Sequence, residues 1–115
     1  MNDIRRGDIY WIINEKNTGV EMSGMHPGVI VSNDKGNAIA PYVQIVYLST
    51  QPKKPFPMHV IIKGKDAVRS SIAQCEQIFT IDKERLGGFV GRCTPGELAC
   101  IDEALILMLE LGKKT

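Results

Sequence analysis

The sequence predicts an α+β protein in which a small, curled antiparallel β-barrel of about five to seven strands precedes a C-terminal α-helix. β-rich segments separated by turn residues fill the first 80 positions. The final part of the chain instead repeats its apolar residues with the period of a helix. A length of 115 residues is enough for one core and too short for two, so residues 1–115 form a single domain.

Five β-strands are predicted in the first part of the chain. In the first strand Ile9, Trp11 and Ile13 alternate and share one face. The third strand is apolar on both faces, which is typical of a central position in a sheet. The predicted strands are Gly7–Ile13, Pro27–Asn33, Tyr42–Ser49, Met58–Ile62 and Ser70–Ile81.

The connections between these strands are of three kinds. The Asn33–Asn37 segment is a turn cluster, and Gln51–Pro57 contains three prolines, which keep it out of a sheet interior. The polar loop from Asn14 to Met25 is longer than a tight hairpin loop, which usually has about 2–5 residues. Loops of this length are commonly functional, and this one leads to His26.

Two helical segments follow the strands. Asp82 caps about one helical turn, which Gly87 and Gly88 end. The C-terminal helix begins at the capping box Thr94–Glu97, which has proline at the first helical position, and it is predicted to end at Gly112. Its apolar stripe consists of Leu98, Ile101, Leu105 and Met108.

Composition excludes several classes of protein. No apolar run approaches the roughly 18 residues that span a bilayer, and no signal-peptide core is present, so we expect a cytoplasmic protein without membrane contact. Three cysteines without CxxC spacing predict free, buried thiols rather than a disulfide framework or a zinc site. The net charge of +1 is not typical of a nucleic-acid-binding protein.

The charges are nevertheless unevenly distributed. Between residues 53 and 69 the basic side chains outnumber a single acidic one, Asp66. Such a surface can bind a polyanion, although a run of charges is more often a solvated face. The basic residues are Lys53, Lys54, Lys63, Lys65 and Arg69.

Acid–base chemistry has two candidate histidines, His26 and His59. Cleavage of an RNA phosphodiester needs a base for the 2′-OH, an acid for the 5′-oxygen and donors for the phosphoryl oxygens. A metal-free set could be formed by His26, Arg6, Ser49, Thr50 and Gln77. A structural role is the ordinary alternative for an isolated histidine, above all for His59. The motifs of esterases, P-loop NTPases and dinucleotide-binding proteins are absent from the sequence.

Three segments in the same order resemble the MazF/PemK family of endoribonuclease toxins. Arg6–Trp11 is similar to the family's R-G-D-(I/V)-(Y/W) strand, and His26–Asp34 to its R-P-x-(V/L)-(V/I)-(V/I)-x-N-D segment. Arg69–Ile72 and Glu76–Leu86 together resemble its D-S-V…E-Q-I-R-T-I-D-K-x-R-L block. The resemblance extends from Arg6 to the terminal helix.

This resemblance implies a barrel like those of SH3 domains, a homodimer and metal-independent cleavage of single-stranded RNA at short sequences, without a cofactor. The products would carry 2′,3′-cyclic phosphate and 5′-OH ends. A cognate antitoxin would occlude the cleft with a disordered C-terminal segment. The catalytic residues of the family fall on His26 and Ser49, with Thr50 adjacent. The RNA-binding set is Arg5, Arg6, Pro27, Lys53, Lys54, His59, Ser71, Glu76, Gln77 and Phe79.

Two departures from the family pattern leave alternatives open. His26 stands where the family has arginine, so it either replaces arginine by ordinary acid–base catalysis or marks a weakened, RNA-binding member. Phe79 stands where arginine is common and offers a surface for base stacking. A gyrase poison like CcdB is a further alternative, but the chain lacks the C-terminal Trp-Gly-Ile of those toxins.

Overall fold

A computed structural model describes residues 3–14, 24–65 and 68–112. This part of the chain forms seven β-strands and two α-helices, with a short 3₁₀ turn at Lys83–Arg85. In chain order the elements are β1 (Asp8–Asn14), β2 (Gly24–Ile30), α1 (Asp34–Ile39), β3 (Tyr42–Ser49), β4 (His59–Ile62), β5 (Ser71–Gln74), β6 (Phe79–Asp82), β7 (Leu86–Arg92) and α2 (Pro95–Leu109). Most of the Asn14–Met25 loop lies outside the described residues.

All strand pairs are antiparallel, and β3 is the branching point of the sheet. The hydrogen-bonded order is β4-β5-β3-β2-β1-β7, and β6 also pairs with β3. Along one edge of β3, Tyr42–Ile45 pairs with β6, whereas Leu48 and Ser49 pair with β5. Within the described ranges no pairing joins β4 to β7, so the sheet stays open. The predicted antiparallel β architecture with a C-terminal helix is confirmed.

Both faces of the central strands are buried, in two separate apolar clusters. On one face Ile9, Val29 and Val46 pack with Ile101 and Leu105 of α2. The other face forms a second cluster without α2. Successive residues of a strand point to opposite faces, so the double burial explains why β3 lacks an apolar–polar alternation. The second cluster consists of Tyr10, Ile12, Ile30, Val43, Ile45, Tyr47 and Ile81.

The predicted fifth strand, Ser70–Ile81, is wrong in its length. The chain turns at Cys75 and Glu76, where the Gln77 N–H donates to the Gln74 carbonyl over 3.1 Å. This turn lets β5 and β6 pair with consecutive parts of β3. The strand β7 was not predicted, because two glycines next to the 3₁₀ turn are more typical of a chain break.

The predicted turn at Asn33–Asn37 is the first part of the helix α1. Asn33 caps it by accepting a hydrogen bond from the Gly36 N–H at 2.7 Å. Asn37 is buried, and its amide donates to the Ser32 carbonyl over 2.9 Å. The same residue types that favour turns also favour the first turn of a helix, so local composition did not separate the two.

The C-terminal helix α2 confirms the predicted start and the capping box. Glu97 N–H donates to Thr94 Oγ1 at 3.0 Å, and Thr94 N–H donates to Glu97 Oε1 at 2.9 Å. Glu97 also accepts from Lys65 Nζ at 3.0 Å, which ties the helix to the segment after β4. The helix ends at Leu109, because Glu110 takes a left-handed conformation (φ 56°) before the predicted end at Gly112.

The three cysteines are free, as predicted, but they are not equally buried. Burial raises the pKa of the Cys75 thiol to about 11 and that of Cys93 to about 12. Cys100, in contrast, is exposed on α2, which corrects the expectation of three buried thiols. Neither helix of the described part is long and apolar enough to cross a membrane.

Candidate active site

A cleft of about 600 Å³ opens where the second apolar cluster reaches the surface. It is formed by one end of β2, the end of β3 with the loop after it, the turn after β5 and the start of β6. Its lining residues are His26, Pro27, Tyr47, Leu48, Ser49, Thr50, Gln51, Lys53, Gln74, Gln77 and Phe79. Seven of these had been predicted as catalytic or RNA-binding residues.

Strand periodicity explains why these side chains meet. His26 shares a face of β2 with Gly28 and Ile30, and Ser49 shares a face of β3 with Tyr47. Phe79 is likewise two residues from Ile81. Ile30, Tyr47 and Ile81 belong to the second cluster, so the cleft residues continue the same face of the sheet beyond the core.

The register of β2 with β3 brings His26 to the level of Ser49. Gly28 lies opposite Tyr47 and Ile30 opposite Ile45, so extending this antiparallel register by two residues places His26 across from Ser49. Pairing with β3 stops at Gly28. The absent N–H of Pro27 therefore breaks no ladder hydrogen bond on that side.

His26 was predicted just before a strand and instead lies within β2, opposite Ile12 of β1. The side chain is half-buried and lines the cleft. Gly28 allows β2 to pack closely against Ile12 of β1 and Ile45 of β3. A Cβ at this position would lie 3.0 Å from Ile12 Cγ1 and 3.3 Å from Ile45 Cδ1. The imidazole is thus carried by a strand that is paired with β1 at this position, and not by a loop.

Two hydroxyls lie at the end of β3. Ser49 is half-buried, and its Oγ accepts a hydrogen bond from the Gln51 N–H at 3.1 Å. A hydroxyl that accepts through a lone pair keeps its own O–H to donate, so Ser49 can donate to an anionic oxygen in the cleft. Thr50 is exposed beside it.

An aromatic pair forms another wall of the cleft. The rings of Tyr47 and Phe79 pack edge to face with centroids 5.3 Å apart. The Tyr47 hydroxyl donates to Asn14 Oδ1 at 3.3 Å, and Arg85 also donates to this oxygen and to the Ile13 carbonyl. These bonds fix Tyr47, and Tyr47 in turn supports Phe79, whose side chain is 40% exposed.

Arg5 and Arg6 do not line the cleft, so the structure does not place Arg6 with His26, the residue with which it was predicted to form a metal-free set. Arg6 donates to the Val31 carbonyl at 2.8 Å and forms an ion pair with Asp102 of α2 at 2.6 Å. Val31 follows the opposite end of β2 from His26, about 17 Å away at the usual rise per strand residue. Antiparallel pairing of β1 with β2 separates these residues, since it places the start of β1 against the end of β2.

Four other predicted RNA-binding residues do not line the cleft. Ser71 is 4% exposed and donates its hydroxyl to the Arg69 carbonyl at 2.7 Å, so it is a buried structural residue. His59 and Glu76 form a pair with each other, 3.1 Å between Nε2 and Oε2. Lys54 is an exposed residue of the proline-rich loop. Ser71 is buried because β5 alternates buried and half-buried residues, and Ser71 occupies a buried position of this pattern.

Four lining residues were missed: Tyr47, Leu48, Gln51 and Gln74. Tyr47 could have been found, because it is two residues before Ser49 in a strand whose bounds were predicted correctly. Gln74 could not, since the turn that ends β5 was not recognised. Among the described residues no group of three or more His, Cys, Asp or Glu side chains could hold a metal ion.

Comparison with known proteins identifies relatives over nearly the whole chain. The family described as PemK-like, MazF-like toxin of type II toxin–antitoxin system matches residues 5–109. Endoribonuclease MazF9 of Mycobacterium tuberculosis is 35% identical over 115 residues, covering 94% of this chain and 98% of its own length. Endoribonuclease EndoA of Bacillus subtilis is 33% identical over 111 residues, with 94% and 96% covered.

Solved structures show the same fold. An endoribonuclease from a mycobacterial species, solved in complex with its cognate antitoxin, superimposes with a TM-score of 0.79 at 28% identity, covering 96% of this chain and 99% of its own. The MazF of a MazE–MazF complex from Deinococcus radiodurans has a TM-score of 0.81 at 17% identity, with 97% and 100% covered. At this lower identity the likeness concerns the fold alone.

Proposed function

Because the chain belongs to the family of PemK-like, MazF-like toxins of type II toxin–antitoxin systems, we propose that it is an endoribonuclease toxin that cleaves single-stranded RNA at selected short sequences. The observation that carries this proposal is the meeting of His26, Ser49 and Thr50 in one cleft. An imidazole beside hydroxyl donors is a suitable combination for phosphodiester cleavage.

In the proposed reaction the 2′-oxygen of the ribose attacks the adjacent phosphorus and the bond from phosphorus to the 5′-oxygen breaks. The 2′-OH loses a proton, and the departing 5′-oxygen gains one. His26 serves as the acid or the base for one of these transfers, while Ser49, with or without Thr50, donates to the phosphoryl oxygens. The products are a 2′,3′-cyclic phosphate and a 5′-OH, and no metal ion takes part.

The rest of the cleft would hold the RNA. Pro27, Gln77 and Phe79 offer an apolar edge, an amide and an exposed ring, which are the groups that contact unstacked bases of single strands. Lys53 would neutralise a backbone phosphate, with weaker help from exposed Lys54. Closure of the Asn14–Met25 loop over the RNA stays a prediction, because residues 15–23 lie outside the described part.

Two protein partners belong to this proposal. One is a cognate antitoxin whose disordered C-terminal segment would occupy the cleft; it is supported by the solved complex of the mycobacterial endoribonuclease with its antitoxin. The other is a second copy of the chain. Exposed apolar residues on β4 and α2 support a homodimer, since Ile61 is 74% and Leu107 54% exposed. With RNA as its substrate, we place the toxin in the cytoplasm.

A second candidate function is RNA binding without turnover, which the replacement of the family's arginine by His26 favours. One experiment separates the two. The purified protein is incubated with a long, defined RNA in EDTA, and the fragments are mapped and tested for 5′-OH ends, with His26→Ala as the control. Discrete 5′-OH fragments that the variant fails to produce support the toxin, whereas bound but intact RNA supports the non-cleaving alternative.

A further inference from the structure

His59 and Glu76 form a partly buried pair next to the cleft. The Nε2 of His59 lies 3.1 Å from Glu76 Oε2, and the two side chains are 14% and 24% exposed. Burial raises the pKa of the Glu76 carboxyl, but the hydrogen bond from His59 and further hydrogen bonds outweigh it and hold this pKa below its usual value. Glu76 is therefore an anion at neutral pH and can only accept hydrogen bonds.

The pair lies between one residue of the cleft and the loop after β3, and does not line the cleft itself. Gln77 Nε2 donates to the same oxygen, Glu76 Oε2, at 3.4 Å, and Gln77 lines the cleft. On its other side the His59 ring packs against Phe56 with centroids 5.0 Å apart. The backbone N–H of His59 also donates to the backbone carbonyl of Phe56 at 2.9 Å. His59 thus links the loop after β3 to the turn that carries Gln77.

Stability alone explains this pair poorly. His59 Nδ1 and Glu76 Oε1 are buried without a hydrogen-bond partner from the described residues. A buried polar atom without a partner destabilises the fold, and an apolar pair of similar volume often stabilises a fold as well as an ion pair does. The pair is more readily explained by what it does to Gln77.

We propose that His59 and Glu76 are positioning residues that fix the amide orientation of Gln77 and so determine which nucleobase the cleft accepts. The inference rests on the proposed function. Because Oε2 of Glu76 accepts only, the Gln77 amide must present its NH₂ group to it. The Gln77 carbonyl oxygen and its second N–H then form a fixed acceptor–donor pair, the pattern with which amides read the edge of a base.

Without this anchor the amide could rotate by half a turn and exchange its donor and acceptor. A base with the opposite pattern would then bind equally well. A bidentate amide–base contact discriminates by about 5- to 150-fold. The expected effect of breaking the anchor is therefore lost discrimination at one RNA position, with the other positions unchanged.

The test measures kcat/KM for short RNAs that differ by one base at each position of the mapped cleavage site. We expect Gln77→Ala and Glu76→Gln to lower the preference at the same single position by about 5- to 150-fold. His59→Ala should lower the preference at this position as well. His59→Gln should keep the preference, because its amide N–H can replace the ring Nε2–H as a donor to Glu76. Gln74→Ala is the matched control, a glutamine of the same cleft that should leave this position unaffected.

A double variant makes the test decisive. If the pair acts through Gln77, Glu76→Gln adds no further loss of preference in a Gln77→Ala background. An additive loss, an equal slowing for all RNAs, or a changed preference at another position would overturn the inference. Thermal unfolding midpoints of all variants verify folding.

Failure of the proposed function gives a different result. If the wild-type protein does not cleave RNA, the same single-base comparison is made with binding constants for the same RNAs. Lost discrimination in Glu76→Gln then supports the anchor although the protein is no nuclease, whereas a wild type without any base preference overturns it.

Discussion

The two histidines of this chain are both half-buried strand residues, but they lie in regions with different neighbours. His26 is on β2, in an open cleft with hydroxyls, amides and an exposed aromatic ring. His59 is on β4, where Glu76 and Phe56 hold its ring and the adjacent groove is lined by apolar residues of α2 such as Leu107.

The comparison shows that the role of a histidine is decided by what other strands bring to it. His26 and His59 each stand beside apolar strand residues in the sequence, so the local pattern alone gives little reason to separate them. The register of β2 with β3 places His26 level with Ser49, whereas the turn after β5 gives His59 a carboxylate partner, Glu76. We therefore expect changes at His26 to affect chemistry and changes near His59 to affect binding selectivity and stability.

The largest effect is expected for His26→Ala. Loss of a general acid or base should slow RNA cleavage by about 10²–10⁴-fold. The thermal midpoint should stay close to that of the wild type, because the side chain lines a cleft rather than the core. Initial cleavage rates and thermal unfolding midpoints are measured for His26→Ala and, as the comparison at the other histidine, for His59→Gln. Full activity of His26→Ala would remove His26 from the mechanism.

Phe79→Ala should weaken RNA binding next in order. Stacking of a base on an aromatic side chain contributes about 1–3 kcal/mol, so the dissociation constant should rise by about 5- to 150-fold. Phe89→Ala on β7 is a matched control, a 52% exposed ring that does not line the cleft. Fluorescence anisotropy with a labelled single-stranded RNA measures both. Equal losses for the two variants would show that Phe79 has no special role.

Glu76→Gln should reduce stability in a pH-dependent way. The pKa of Glu76 is held below its usual value, so its carboxylate stabilises the fold at pH values above about 4.3 and loses that effect as the pH falls through the lowered pKa. Removing a hydrogen bond to a charged group should cost about 1–3 kcal/mol at neutral pH.

Urea unfolding of wild type and Glu76→Gln between pH 3 and 7 measures this difference. It should be largest near neutrality and should shrink in acid. Glu103→Gln, at an exposed position of α2, should show little difference at any pH. A stability gap at Glu76 that stays constant down to pH 3 would contradict a role for the charge.

The smallest effect is expected at two neighbouring lysines. Lys53 lines the cleft and Lys54 does not. Each phosphate neutralised by a lysine contributes about 0.7 to the salt slope of single-strand binding. Lys53→Ala should lower the slope of log K against log salt concentration by about that amount, and Lys54→Ala by less. Equal changes would mean that the loop binds RNA without regard to the cleft.

Periodicity and capping residues sufficed to predict much of the fold. The bounds of β3, its central position and the start of α2 followed from an apolar run on both faces and from the capping box Thr94–Glu97. The division of the fifth strand at Cys75 and Glu76 could not be predicted, because it depends on β5 and β6 competing for the same edge of β3. Similarly, β7 forms through pairing with β1, which overrides its glycines.

The site was predictable where resemblance and strand parity agreed. His26, Gln77 and Phe79 lie in matched segments, and Ser49 was carried over from the family's catalytic position at the end of the third strand. The structure brings all four into one cleft. Arg6, although it begins a matched segment, is separated from His26 by the antiparallel pairing of β1 and β2. Such errors arise because a sequence motif does not show which ends of two paired strands lie next to each other.

The central claim, that the His26 imidazole transfers a proton during RNA cleavage, is tested most directly by the pH dependence of kcat/KM. The wild type and His26→Gln are compared between pH 5 and 8 with one defined RNA. Histidine is the unperturbed side chain whose charge changes in the range of about pH 5–8, so the wild-type rate should vary across it. The variant should be slow and should lose that variation. A flat wild-type profile, or the same pH dependence in His26→Gln, would contradict the account.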